Sequence, residues 1–505
     1  MNFTELTGVL NGYIWSIPLV VLAIIVGLFY TISMGVPQVR LLKDMTKYLF
    51  KGNTSGSEGI SSFQGFAMAL GGRIGVGNIA GVATAICFGG PGAVFWMWLI
   101  AIIGAGSAYA ESSLAQIYKA KIDGEYRGGP AYYIEKGLNI PYLGRGLAVA
   151  FAIAAVIANG FTGPTIQAFN ISEAVKNAWG LPTWMVGLAI AILFALVVFG
   201  GMKRIGRVAE IIVPVMAFVY ILLALIILFV NYDQIIPMFK LIFRCAFNMD
   251  AFYGAVWGST IIWGVKRGIY SNEAGMGSGA HASAAAEVSH PAKQGLAQSF
   301  SVYVDTLLVC TATAIMILST GMYNIQSEAT GKFLVENLPG LDAGTGYTQK
   351  AIDTLVPGLG SGFIAIAVFF FAFTTLLSFA FYTDANTAYI VRGVKTEKSR
   401  KIMVNAIKVL LTLIIFWGSI RSSGAAWNLA DIGVGLMSWV NLVAILLLQR
   451  KVRTVLKDYE MQKKAGLDPV FVPKDCGIAN AELWDEIGSE KYPELLAERE
   501  KTLNK

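Results

Sequence analysis

The chain has 505 residues, of which 55% are hydrophobic and only 14% charged, with a mean hydropathy of +0.60; an average soluble domain is about 25% charged. A soluble fold has too little interior to hide that much apolar surface, so lipid must cover the rest. The net charge of +7 does not by itself indicate nucleic acid, because membrane proteins gather Lys and Arg on one side for topological reasons.

A membrane span needs about 20 mostly apolar residues. In chain order, runs of that kind lie at 13–36, 62–88, 91–118, 147–170, 183–201, 207–230, 249–285, 294–321, 355–389, 402–421 and 424–448. They predict an all-α integral membrane protein of about eleven helices. The first run lacks a basic leading stretch and a small-residue cleavage site, so it reads as a retained helix and not as a signal peptide. The loop at 322–354 is long and polar and could partly cover an entrance. The tail after Leu448 is charged, carries Pro469, Pro473 and Pro493, and reads as a soluble extension with short amphipathic helices at most and no domain.

Charge placement orients the chain. With the N-terminus outside, the inside segments hold 32 Lys and Arg, and the outside ones hold six: Lys176, Lys240, Arg244, Lys332, Lys350 and Arg421. Lys266, Arg267 and Lys408 fall within the drawn spans and are assigned to the cytoplasmic half, while Arg73 lies inside a span. An error of one helix would scramble this asymmetry, so an outside N-terminus and a cytoplasmic C-terminus are expected.

Irregular backbone at membrane depth is tolerated only inside protein or along a wet cavity, so glycine clusters inside spans are informative. The second span contains GGRIGVGN (71–78), and the seventh contains WGSTIIWGVKRGIYSNEAGMGSGAH (257–281). Both spans are longer than a crossing requires, as expected where a helix breaks and restarts. Spans two to six and seven to eleven form two groups of five, each opening with the glycine-broken helix. Because five is odd, the groups enter the membrane with opposite orientation, the inverted-repeat arrangement of LeuT-type transporters. The expected divisions are therefore 1–61 (extra helix and loop), 62–230 (first repeat), 249–450 (second repeat) and 451–505 (tail). The alternative for each glycine run is simple close packing of helices.

Five strings resemble the alanine or glycine:cation symporters, also called sodium:alanine symporters: IGVGNIAGVATAI (74–86), GGPGAVFWMW (89–98), RGGPAYYIEKGL (127–138), GVKRGIYSNEAGMGS (264–278) and DTLLVCTATA (305–314). The resemblance runs from the first helix to about residue 450. It implies a LeuT-type fold within the amino acid–polyamine–organocation superfamily and sodium-coupled uptake of a small neutral amino acid by alternating access. It also implies a prokaryotic plasma membrane. The expected partners are the amino acid, co-transported sodium and the bilayer, with no nucleic acid and no organic cofactor, and the expected working unit is a monomer. Two departures bear on selectivity. The ninth span reads FAFTTLLSFAFYTDANTAY (371–389), with Phe379 where the family has tryptophan, and the fourth reads GPTIQAF (163–169) without the family's methionine and valine before the glutamine.

A zwitterionic substrate needs N–H donors for its carboxylate, best supplied where a half-helix begins. Gly75, Val76, Gly77 and Asn78 are placed for that, with Asn78 serving as ligand, as cap, or as both. Gln167, a polar side chain in an apolar span, must face the protein interior, as substrate contact or as a bond between helices. Trp263, beside Gly264, is either a pocket wall or core, and Phe379 is a wall or a ring that faces lipid or a neighbouring helix.

By analogy with the LeuT-type site, the carbonyls of Gly71 and Ile74 and the hydroxyls of Thr374 and Thr375 form the sodium site. The alternative is back-bonding of both threonines to their own helix. Arg73 is a gate or a carbonyl-binding strut. Asp305 is a second cation ligand or a partner of Lys266 or Arg267. Glu111, Glu273 and Asp384 are expected near the cytoplasmic interface as solvated or capping charges.

His281 and His290 are expected in loop or cap roles. Their settings suggest no nucleophile, base or metal site, which argues against an intramembrane enzyme. Four scattered cysteines without CxxC spacing argue against a zinc centre or a disulfide framework. A channel or a non-transporting sensor on the same fold stays open.

Overall fold

The computed structural model describes residues 3–49, 58–249, 257–328, 330–421 and 423–503. It is almost entirely helical, with two short antiparallel hairpins, Ala120–Ile122 with Glu125–Arg127 and Asn324–Gln326 with Phe333–Glu336. Seven helices are long and apolar enough to cross a membrane: Ala93–Ile117, Leu143–Trp179, Gly201–Val230, Pro291–Thr320, Leu359–Val391, Glu397–Ser419 and Ala426–Leu447. Two bent pairs, Glu5–Ile14 with Ile17–Ser33 (41°) and Ser62–Arg73 with Gly77–Gly89 (48°), are long and apolar enough when each is taken as one span.

By length and apolarity the described residues thus contain seven to nine spans, not eleven. The two expected runs that fall short do so for local reasons. Thr183–Val198 is apolar but short, and the seventh run is split into Trp257–Asn272 and Gly279–Ala285. The beginning of that run, 250–256, lies outside the described residues. The first run starts earlier than its hydropathy suggests, because a helix over Phe3–Ile14 precedes the bend at Trp15 and Ser16.

Polarity is arranged inside out relative to a soluble protein. Gly201–Val230 turns Phe218 (67% exposed) and Phe229 (81%) outward, and Glu397–Ser419 does the same with Leu410 and Leu413. By contrast, Leu359–Val391 buries Thr374, Thr375, Ser378, Thr383, Asp384 and Asn386. Only a lipid surround makes that distribution favourable, since polar groups must then find partners within the protein.

The tail is not a loose extension. Gln449–Lys464, Leu483–Lys491 and Pro493–Leu503 are helices, and Trp484 is 1% exposed, donating its indole N–H to the Gln116 carbonyl at 2.9 Å. The hairpin in 322–354 and the helix Thr345–Asp353 cover a cavity of about 440 Å³ lined by Trp263, Lys266, Arg267, Glu328 and Asp431 among others.

Candidate functional site

The site is built on two helix breaks. Ser61 opens the first broken helix with a capping box: its hydroxyl accepts from the Gln64 N–H and the Gln64 side chain accepts from the Ser61 N–H. The helix runs to Arg73, Ile74 leaves the helical conformation with ψ 87°, and a wide turn over Gly77–Gly81 resumes it. A Cβ at Gly75 would stand 2.5 Å from the Thr375 hydroxyl and 3.1 Å from Gln167 Oε1, so only glycine allows this approach.

The second break follows Asn272, where Glu273, Gly275 and Gly277 all take positive φ (56°, 90° and 85°) before the Gly279–Ala285 helix. Ser62–Arg73 packs on Gly279–Ala285 and Trp257–Asn272 packs on Val82–Gly89, so the two broken helices run antiparallel. Gly264 and Gly268, in the same run of sequence, do not break the helix. They let it lie against Ala93, Trp96, Met97 and Ile100 of the neighbouring Ala93–Ile117 helix.

At the first break the Thr375 hydroxyl lies 2.9 Å from the Gly71 carbonyl, 3.3 Å from Ile74 and 3.0 Å from Phe371. One hydroxyl proton serves one acceptor at a time, so three carbonyl oxygens, two from the break and one from the threonine's own helix, converge on a single donor. Such a set fits a hard monovalent cation. Back-bonding, the alternative considered for both threonines, is present in both: Thr374 donates to the Phe370 or Phe371 carbonyl, and Thr375 is within reach of Phe371 as well as of the break.

Beside this point a narrow cavity of about 20 Å³ is lined by Gly75, Gly77, Gln167 and Phe379, together with Arg73, Tyr270, Glu273 and Met276. Phe379 is therefore a wall and does not face lipid. The N–H groups at the break are largely occupied: Gly75 donates to Asn78 Oδ1 at 2.8 Å, Val76 to Gln167 Oε1 at 3.1 Å, and Asn78 to the Gly75 carbonyl at 3.2 Å. Asn78 thus caps the break, and its Nδ2 donates to Asp305 Oδ1 at 2.6 Å.

Several expected placements change. Trp263 and Gly264 lie away from this cavity; Trp263 lines the larger one and donates to Glu328 at 2.9 Å. Asp305 pairs with neither Lys266 nor Arg267. It accepts from Asn78, Ser271 and Thr306, whereas Asp431 takes Lys266 at 2.7 Å and Arg267 at 2.8 Å. Lys266 and Arg267 share their cavity with the 322–354 loop and Asn11, so they sit at that end of the molecule and not in the opposite half, where the charge count assigns them.

Glu111 and Glu273 are each 1% exposed, and Asp384 (8%) is paired with Arg127 at 2.8 Å; none is a solvated charge. Arg73 is a strut joining the two breaks, donating to the Asn272 carbonyl at 2.6 Å and to Gln298 Oε1 at 3.0 Å. His290 caps the Pro291–Val302 helix, and His281 is buried between the Ser278 carbonyl and Asn386.

The sodium:alanine symporter family model matches residues 1–473. The chain belongs to that family. Among relatives of this symporter, a putative sodium/proton-dependent alanine carrier of Bacillus subtilis is 52% identical over 477 residues, 94% of this chain and 96% of its own. The sodium/proton-dependent alanine carrier of Bacillus sp. PS3 is 47% identical, covering 85% and 95%. A probable sodium/glutamine symporter of Bacillus subtilis is 42% identical, covering 92% and 93%.

One acid of this symporter, Asp431, escaped the sequence reading, and a second, Glu273, was misplaced by it. Asp431 sits in an apolar span, a signal that alone would have marked it. Glu273 was legible as a charge beside the second break, but its depth was not, because glycine-rich backbone carries no periodicity from which to read a face.

Proposed function

We propose that the protein is a secondary symporter that couples inward sodium movement to uptake of a small neutral amino acid by alternating access. The observation that carries this reading is the convergence of the Gly71 and Ile74 carbonyls on Thr375, directly beside the cavity lined by Gly75, Gly77, Gln167 and Phe379. The Val76 N–H, now taken by Gln167 Oε1, is where a substrate carboxylate oxygen fits at the break. Asn78 holds the break in shape, and Asp305 behind it is a second cation ligand. Trp263 and Gly264 belong to the outer approach and not to the binding pocket.

The names of the three relatives, two alanine carriers and a glutamine symporter, support a neutral amino acid. The architecture proposed is eleven spans, with an extra N-terminal helix before two inverted five-helix repeats (62–230 and 249–450). The N-terminus lies outside, the tail inside the cell, and the working unit is a monomer. Uptake of labelled alanine by proteoliposomes tests the function. An inward sodium gradient should drive accumulation, and choline replacement should abolish it. Accumulation driven equally by a proton gradient without sodium would replace the cation assignment, and no accumulation of any neutral amino acid would refute the reading.

A further inference from the structure

Glu273 carries two costs at once. Its backbone has φ 56°, a conformation disfavoured for a residue with a side chain, and its carboxylate is buried to 1% exposure. Among the described residues, neither Oε1 nor Oε2 receives a hydrogen bond. The Tyr382 hydroxyl, its polar neighbour, makes none of normal geometry either.

The other deep acids are provided for. Asn441 donates to Glu111, and Asn78, Ser271 and Thr306 donate to Asp305. Arg73 shares the cavity wall with Glu273 but is committed to Asn272, Gln298 and Ser301 and forms no ion pair with it. A buried acceptor whose neighbouring donor, the Tyr382 hydroxyl, falls outside normal hydrogen-bond geometry calls for an explanation, and here it lines a cavity.

The cavity is also polarised. The break carrying the Val76 N–H and Gln167 is on one wall and Glu273 on another, while Ala158, Met276, Phe379 and Val434 supply apolar surface. We infer that the Glu273 carboxylate receives the ammonium group of the substrate, so that the site selects zwitterions with a free ammonium over hydroxy acids of the same shape. This rests on the amino-acid symport proposed above. The apolar surface then receives a short side chain, and sodium keeps its separate oxygen set at Thr375.

The test compares alanine with lactate, in which a hydroxyl replaces the ammonium, as competitors for binding to the full purified chain. The wild type should prefer alanine by about 30-fold or more, the order expected for a buried charge pair. Glu273→Gln should remove most of that preference by weakening alanine while leaving lactate as it was, and Glu273→Asp should restore part of it. Unchanged discrimination in Glu273→Gln would overturn the inference.

If the wild type binds no neutral amino acid, the underlying reading fails and takes this inference with it. Should Glu273→Gln not fold, the wild type still decides. Labelling of Glu273 by a hydrophobic carbodiimide, read by peptide mass spectrometry, should be suppressed by alanine and not by lactate; equal labelling with and without saturating alanine would overturn it.

Discussion

Thr375 and Phe379 lie one helical turn apart on Leu359–Val391, and the proposed function assigns the first to the cation and the second to the amino acid. The Thr375 hydroxyl gathers three carbonyls, so Thr375→Ala should raise the sodium concentration for half-maximal uptake by about ten-fold, as for a lost ligand worth about 1.4 kcal/mol. Thr374 bonds its own helix, and Thr374→Ala should shift sodium dependence much less. Equal sodium titrations for wild type and Thr375→Ala would remove this threonine from the cation site.

On the proposed function, the ring at 379 bears on selectivity. A Cβ at Gly163 would stand 2.5 Å from Phe379 Cε2, so the ring fills its space closely. An indole there must project further into the pocket. Phe379→Trp should narrow the substrate range toward alanine and glycine, with discrimination against larger residues rising by about 1–3 kcal/mol. Competition with a panel of neutral amino acids reads this directly, and identical profiles would contradict it.

At the scale of an element, the docked tail is the unexpected feature. Lys121 and Lys491 pair with Glu58, and Lys491 also pairs with Glu287 at 2.9 Å. The hydrogen bond from Lys121 holds the Glu58 carboxyl down to about 2. Trp484 fills the space between, and Lys119 lies 4.8 Å from its ring and 4.6 Å from that of Tyr126. Trp484→Ala should cost about 3–5 kcal/mol of docking and expose the tail to limited proteolysis.

Burial lowers the Lys119 ammonium to about 7, with Glu287 and Glu58 acting against the shift and Lys491 adding to it. An exposed lysine titrates near 10.4. Between those two pH values only the undocked form holds the proton, so docking should strengthen as pH rises above 7, by up to about ten-fold per unit, and be flat below it. Proteolysis of the tail as a function of pH, corrected for protease activity, checks the direction. Lys119→Met should flatten the curve.

Across the whole molecule, ion pairs show which segments share an end. Arg40 meets Glu460, Lys463 meets Asp44, Arg400 meets Asp123, Arg392 meets Glu135, and Lys491 meets Glu287. All ten residues come from segments that the charge asymmetry places inside. Such pairs add little stability individually; what they supply is the agreement that these segments lie at one end of the molecule. Moving Lys266 and Arg267 to the opposite end removes two from the inside tally and leaves the asymmetry intact. With Cys476 changed to serine, a cysteine introduced at Lys332 should react with an impermeant maleimide in intact cells, and one at Lys501 only after permeabilisation. Labelling of Lys501→Cys in intact cells would refute the orientation and the inverted repeat together.

What the sequence determined by itself was governed by local chemistry. Apolar run length set the spans, Ser61 and Gln64 set a helix start, and GGRIGVGN and NEAGMGSG marked the breaks because glycine permits backbone that other residues resist. The set of Gly71, Ile74, Thr374 and Thr375 was reached by analogy with the LeuT-type site; the geometry brings Gly71, Ile74 and Thr375 together and leaves Thr374 on its own helix. Only the tertiary structure decided who meets whom across long separations: Asp431 with Lys266 and Arg267, Trp484 with the Gln116 carbonyl, and Glu273 with a cavity and the Tyr382 hydroxyl but no well-formed hydrogen bond. A charge reads the same in a linear string whether its neighbour in space is water, a counter-ion or a void. That difference is made by residues more than a hundred positions away, and it separates a capping acid from a binding one.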